Sequence, residues 1–234
     1  KFTLVNDWIF SNMEDNFADN KPGTAMTVRG MAAKDGKMYF ISREKEALVV
    51  VDGATGKMEK EIKIVGEHLF QVQNAEGAWA SSSLLPFNDI KFDTEGNCLI
   101  GGCPANGNTF IIYKVDLTTG EATEVIKERI WDNANYDGQI YRCDAFGVYG
   151  DVTKNAVIMA ADAGQGIDGV TVLSWNVLRW QIKDGVAGKC EIMTMPGEEG
   201  GGWNTAPQIF PQDTKGEIFY VDGFNTLPTL YMAG

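Results

Sequence analysis

Apolar and polar positions alternate along this chain in short runs, and each run is closed by a turn signal. "KMYFIS", "NCLIGG", "AVIMAA" and "EIFYVD" follow Asp35-Gly36, Glu95-Gly96, Lys154-Asn155 and Lys215-Gly216. Period-two alternation bounded by Gly, Asn and Asp predicts strands joined by tight turns. The second residues of the four pairs are spaced 60, 59 and 61 positions apart. A second strand is predicted after each of these, in "ALVVVD", "FIIYKVD", "VTVLSWNV" and "PTLYMA". In the first two units the turns "GATG" and "LTTG" lead to a third run, "MEKEIKI" and "EATEVIKE"; in the third unit "KDGVAGK" precedes "CEIMTM". Only "EVIKERIW" reads equally as helix or strand.

A unit of four short antiparallel strands, a to d, repeated every sixty residues, predicts an all-β fold of the β-propeller type. A β-sandwich is the alternative, but it gives no reason for the period. One domain is expected over residues 1–234, with blades at about 25–64, 87–128, 144–194 and 207–234 and an N-terminal strand at 2–10. The fourth unit reaches only its third strand. About four blades are therefore visible and the propeller is expected to be incomplete, unless the N-terminal strand completes the last blade and closes a small ring.

Topology separates two ends. The a–b and c–d turns are short, whereas the connections between units, 65–86, 129–143 and 195–206, are long and lie on the other end with the b–c loops "CPANGN", "DAGQGIDG" and "GFNTL". Long loops on a rigid scaffold are where binding concentrates. Phe70, Trp79, Trp131, Tyr136, Tyr141 and Trp203 lie in these connections. Aromatic rings there suit stacking on sugars or apolar side chains, and they equally suit plugging the connection onto the sheets. The predicted ligand-binding set is Trp79, Trp131, Tyr136, Tyr141, Arg142 and Trp203.

Charge narrows the partners. With 20 basic and 32 acidic residues the net charge is −12, which argues against nucleic acid and anionic membrane surfaces. The longest strictly apolar run, "ALVVV", is too short to cross a bilayer, which needs roughly 20 residues. The chain opens "KFTLVNDW" without Met or leader, as a processed or trimmed product would. Cys98, Cys103, Cys143 and Cys190 form no CxxC pair, so zinc is not expected, and the disulfide state stays open.

Candidate chemistry is sparse. In "NANYDGQIYRCD", Asn133, Asn135, Asp137, Gly138 and Asp144 fall at positions 1, 3, 5, 6 and 12 of a calcium loop, with Asn at position 1 and Asp where a bidentate Glu is usual. Calcium is the one cofactor this spacing would hold, through Asn133, Asn135, Asp137 and Asp144; the other reading is a linker rich in Asx turns. His68 is the single histidine, and a serine triad would need it beside Ser81, Ser82 or Ser83. "GEEGGGW" lacks the phosphate-loop lysine. Arg29, Arg43 and Arg142 stand near strand ends, placed to converge on a ligand carboxylate or to pair internally with Asp144 and Asp151.

"VRGMAAKDGKMYFISREKEALVVVDGATGKM", "YRCDAFGVYGD" and "NTLPTLYMAG" resemble blade motifs of a secreted or lipid-anchored β-propeller family of unknown function from gut Bacteroidetes. Cys143 departs from that pattern, where a small or apolar residue is usual. The resemblance implies an extracytoplasmic protein at the cell surface or in the periplasm, associated with glycan or peptide uptake, with no catalytic residues to carry over. The expected function is non-catalytic binding of a carbohydrate or peptide ligand, or of an envelope or transporter partner, through the long-loop end. A propeller hydrolase or lyase using carboxylates, with calcium assisting, is the alternative.

Overall fold

The computed structural model describes residues 28–105, 108–130, 142–167, 170–172, 174–199, 201–204, 206–223 and 229–232. The described residues are all β, without an α-helix. Sheet I is β1 (Val28–Lys34), β2 (Lys37–Ser42), β3 (Ala47–Asp52) and β4 (Met58–Lys63), antiparallel in that order. A small hairpin follows, β5 (Gln71–Gln73) and β6 (Trp79–Ser81). Sheet II runs β7 (Leu85–Phe92), β8 (Cys98–Cys103), β9 (Thr109–Val115) and β10 (Ala122–Arg129).

Sheet III begins with β11 (Phe146–Gly150) and β12 (Ala156–Ala161). A second hairpin, β13 (Gln165–Ile167) and β14 (Val170–Val172), precedes β15 (Asn176–Lys183), which pairs with β12 and carries β16 (Val186–Ala187) and β17 (Glu191–Thr194) on its other side. Sheet IV is β18 (Gln208–Pro211), β19 (Ile218–Asp222) and β20 (Thr229–Met232).

Two expectations change here. Residues 124–129 of "EVIKERIW" are strand: β10 registers antiparallel on β9, with Ile126 buried. "VTVLSWNV" is not one strand; its first three residues form β14, and the partner of β12 is "NVLRWQIK", whose Val177, Leu178, Trp180 and Ile182 are all buried.

The sheets pack face on face, and three buried clusters lie between them. Ile41, Leu48 and Val50 of sheet I meet Ile90, Ile100 and Tyr113 of sheet II. Leu99, Phe110 and Ile112 from sheet II meet Ile158, Leu178 and Trp180 from sheet III, with Trp180 stacked on Phe110 at 4.4 Å. Val157, Met159 and Val177 meet Ile209, Phe219 and Val221 of sheet IV. Strand side chains point to alternate faces, so an inner sheet sends one residue to each core in turn. Continuous apolar runs such as "AVIMAA" are the result.

The edge strands β1, β7, β11 and β18 approach one another closely, and glycine makes this possible. A Cβ on Gly30 would come 2.7 Å from Asp89 Cα, and one on Gly147 would come 2.2 Å from the Ile209 carbonyl oxygen. Carboxylates organise the short-turn end. Asp93 accepts the Glu95 and Asn97 N–H groups at 3.0 and 2.8 Å on Oδ1, and the Val152 N–H of the next sheet at 2.9 Å on Oδ2. Asp151 and Asp213 cap the equivalent turns of sheets III and IV.

Candidate functional site

At the opposite end, the chain entering β11 is strapped between two loops. Arg142 bridges to Ala105, and the Cys143 N–H donates to the Pro104 carbonyl at 3.1 Å. The Arg142 N–H donates to Asp162 Oδ1 at 2.8 Å, and the Arg142 carbonyl accepts the Ala163 N–H at 2.7 Å. This double strap fixes where residues 142–145 sit, so the side chains of Arg142 and Asp144 are held by main chain on both sides.

Asp144 is buried and is the centre of the cluster. Its Oδ1 accepts from Arg142 Nη2 at 2.5 Å and from Arg29 Nη2 at 3.1 Å, with Cys103 Sγ 3.8 Å away. Its carbonyl accepts from Asn88 Nδ2 at 2.5 Å. Next to it, Asp89 pairs with Lys91 at 2.7 Å and takes the Phe146 N–H at 3.1 Å. Sheets I and II and the chain entering sheet III therefore each contribute to one polar cluster at the long-loop end. Three of its buried atoms, Asp144 Oδ2, Asn88 Oδ1 and Arg142 Nε, have no hydrogen-bond partner among the described residues.

The electrostatics follow from this packing. Burial works against the Arg142 charge, but the hydrogen bond and attraction of Asp144 outweigh it and raise the guanidinium pKa. Burial pushes the Cys103 thiol up to about 12, with Asp144 adding to the rise and the two guanidiniums opposing it. Burial also raises Cys98 to about 12 and Cys143 well above its ordinary value. These cysteines are held as thiols and are poor nucleophiles.

The predicted ligand residues separate. Trp79 is 41% exposed but not bare: its ring stacks on His68 at 3.9 Å, and Lys127 Nζ lies 5.7 Å from its centroid. Lys127 is on β10, whereas Arg142 is strapped to Pro104 and Ala105 just past β8. Trp203 is 1% exposed and meets Trp175 and Tyr231 edge to face in the core between sheets III and IV. It is a core side chain and not a rim residue, because the connection carrying it folds inward. Phe70 is likewise buried, against Phe87 and Tyr113. Trp131, Tyr136 and Tyr141 lie outside the described residues.

The calcium reading meets a physical obstacle at its last position. Asp144 Oδ1 already faces two guanidiniums, which would repel a cation placed there. Asn133, Asn135 and Asp137 lie outside the described residues. The serine option also finds its groups spent: Ser81 Oγ donates to the Ser83 carbonyl, Ser83 Oγ to the Cys103 carbonyl, and Ser82 Oγ accepts from Thr109.

The pairing of Arg29 and Arg142 with Asp144 was legible as an option in their strand-end positions. Asn88 is the member that no motif advertises. The signal was there in "PFNDIKF", where a polar pair interrupts an otherwise strand-like run.

Residues 79–229 match the family described as a domain of unknown function (DUF8500); this is more than half of the chain, which belongs to that family. No curated protein matches the sequence. Among solved structures, a DUF4623 family protein from Bacteroides eggerthii DSM 20697 superposes with a TM-score of 0.64 at 14% identity, over 94% of this chain and 45% of that one. The chain thus spans less than half of that neighbour, and the likeness is one of fold. Hydrazine synthase from Kuenenia stuttgartiensis gives a TM-score of 0.40 at 13% identity, over 83% and 61% of the two chains, which is too loose to inform function.

Proposed function

We propose that this chain is part of an extracytoplasmic β-propeller that binds, without turning over, a carbohydrate or peptide ligand or an envelope partner at its long-loop end. The observation that carries the reading is the cluster of Arg29, Asn88, Arg142 and Asp144. Sheets I and II and the chain entering sheet III contribute to it, and it sits where the longest connections emerge. Ligand sites are usually concave places where a few polar groups converge from several elements of a rigid scaffold. The extracytoplasmic setting rests on the blade-like sequence motifs.

Sheet-on-sheet packing with close edge strands supports the propeller. So does the outer face of sheet IV, where Phe210, Tyr220 and Leu230 stand in one cross-strand row beside Ile218 and Met232, all exposed. An apolar face of this kind suits a further sheet, as the inner sheets already receive. A crystal structure in which β1, β7, β11 and β18 failed to face a common axis would remove the propeller reading.

The functional test is a binding screen of neutral, acidic and amino glycans and of short peptides, with products followed by mass spectrometry. Saturable binding with ligand recovered intact is expected. Released product would instead favour a hydrolase or lyase, and binding insensitive to changes at Arg142 but sensitive to changes at the Asp93 turn would place the site on the wrong end.

A further inference from the structure

Building on the binding reading, we propose that Arg29 and Arg142 together seat a carboxylate of the ligand, so that the ligand class is an acidic sugar or a peptide C-terminus. A guanidinium offers five N–H donors and matches a carboxylate through two parallel bonds. Here Asp144 takes one nitrogen from each arginine, both on its Oδ1, while Oδ2 has no partner among the described residues. Neither arginine is held in the two-bond fork. Arg142 also rests against the Cys103 thiol, and its remaining donors, like those of Arg29, are not spent on Asp144.

Exposure points the same way. The Arg29 and Arg142 side chains are 26% and 22% exposed over an Asp144 side chain that is 3% exposed. Asp144 thus acts as a buried anchor that draws the two guanidiniums onto one oxygen, while each arginine side chain keeps part of its surface in solvent. Among the neighbouring carboxylates, Asp89 is matched by Lys91, and Asp162 receives main-chain N–H groups from Arg142 and Gly164. Counted together, Arg29, Arg142 and Lys91 are balanced by Asp89, Asp144 and Asp162, so what the site offers a carboxylate is two guanidiniums with N–H donors to spare, a match of geometry that a neutral hydroxyl uses less fully. The fixed pair also lowers the ordering cost of binding, since the donors are positioned before the ligand arrives.

The test uses two matched pairs of ligands on the chain as described. One pair is trigalacturonate and its methyl ester; the other is a short peptide with a free or an amidated C-terminus. Calorimetric titration is expected to show binding of one of the charged members, weakened about tenfold or more by esterification or amidation, as befits loss of a charge-assisted hydrogen-bonded pair. Rising salt should weaken it further. Arg29→Lys and Arg142→Lys keep the attraction to Asp144 but remove the fork, and each should reduce affinity about tenfold in a protein that still melts cooperatively.

Equal affinity for the acid and its neutral counterpart overturns the inference, as does full affinity in both lysine variants. Binding confined to neutral glycans also overturns it while leaving the broader binding reading intact. If all four probes fail to bind, the carboxylate seat is refuted; the broader reading falls with it only when the wider glycan and peptide screen is silent too. Should a lysine variant fail to melt cooperatively, the matched-ligand comparison on the unaltered chain still decides the matter.

Discussion

β12 and β19 are both apolar strands in the middle of their sheets, yet they live in different surroundings. Every residue of β12 is buried: Ile158 and its same-face neighbours enter the core shared with sheet II, and Val157, Met159 and Ala161 enter the core shared with sheet IV. In β19 only Phe219 and Val221 are buried, whereas Ile218 and Tyr220 are each 40% exposed. The alternation of side chains is the same in both. What differs is the number of neighbouring sheets, so burial here is a property of position in the stack and not of strand composition.

The sharpest way to break this comparison is to remove volume on each strand. Met159→Ala empties a fully enclosed site and should cost about 2–5 kcal/mol in denaturant unfolding. A loss under about 0.5 kcal/mol would mean that sheets III and IV are not firmly packed. Next in size is Gly147→Ala, whose Cβ would collide with the Ile209 carbonyl where β11 meets β18. About 1–3 kcal/mol of destabilisation is expected from such overpacking, with the near-ultraviolet circular dichroism of the Trp175–Trp203 pair altered.

A smaller effect separates the turns that serve the two strands. The side chain of Thr153, then Lys154, holds the Asp151 carboxyl down at about 2. Burial opposes ionisation of Asp213, but the N–H groups of Ile218 and Lys215 outweigh it and its pKa is also lowered. A carboxyl depressed on folding contributes stability above its unfolded pKa, near 4, and that contribution is lost as pH falls through the folded value. The protection of the Thr153 amide, its exchange rate taken against the unstructured rate at the same pH, should therefore fall between about pH 4 and pH 2; unchanged protection at pH 2 would show that the carboxylate does not hold the turn. The least effect is expected from Tyr220→Ala, within about 0.5 kcal/mol, because its face is open. A penalty like that of Met159→Ala would show that the face is already covered in solution.

The sequence made the antiparallel all-β character legible because turn pairs such as Asp35-Gly36 and Glu95-Gly96 bracket clear alternations. It misassigned the partner of β12, since "VTV" and "NVLRWQIK" are equally good strand formers and local pattern does not say which one finds β12. Trp203 was misread for a related reason: a place in a connection does not fix exposure, which here depends on Trp175 and Tyr231. The site was half legible. Arginines at strand ends advertise themselves, but Asn88 acts on the carbonyl of Asp144, 56 residues away, and no local pattern encodes that meeting.

The bonds that join sheets II and III share a further property. Phe146 reaches Asp89 across 57 residues, Val152 reaches Asp93 across 59, and Cys190 reaches Glu128 across 62. Each link thus closes a loop about one repeat long, and loop-closure entropy grows only slowly with length, so docking one sheet on the next is a step of nearly constant difficulty. Within a sheet the meander is local and quick to form. A chain that appears N-terminus first, as one crossing a membrane does, could fasten each sheet to the one just made, and its folding time would then grow with the number of sheets instead of waiting on its far end.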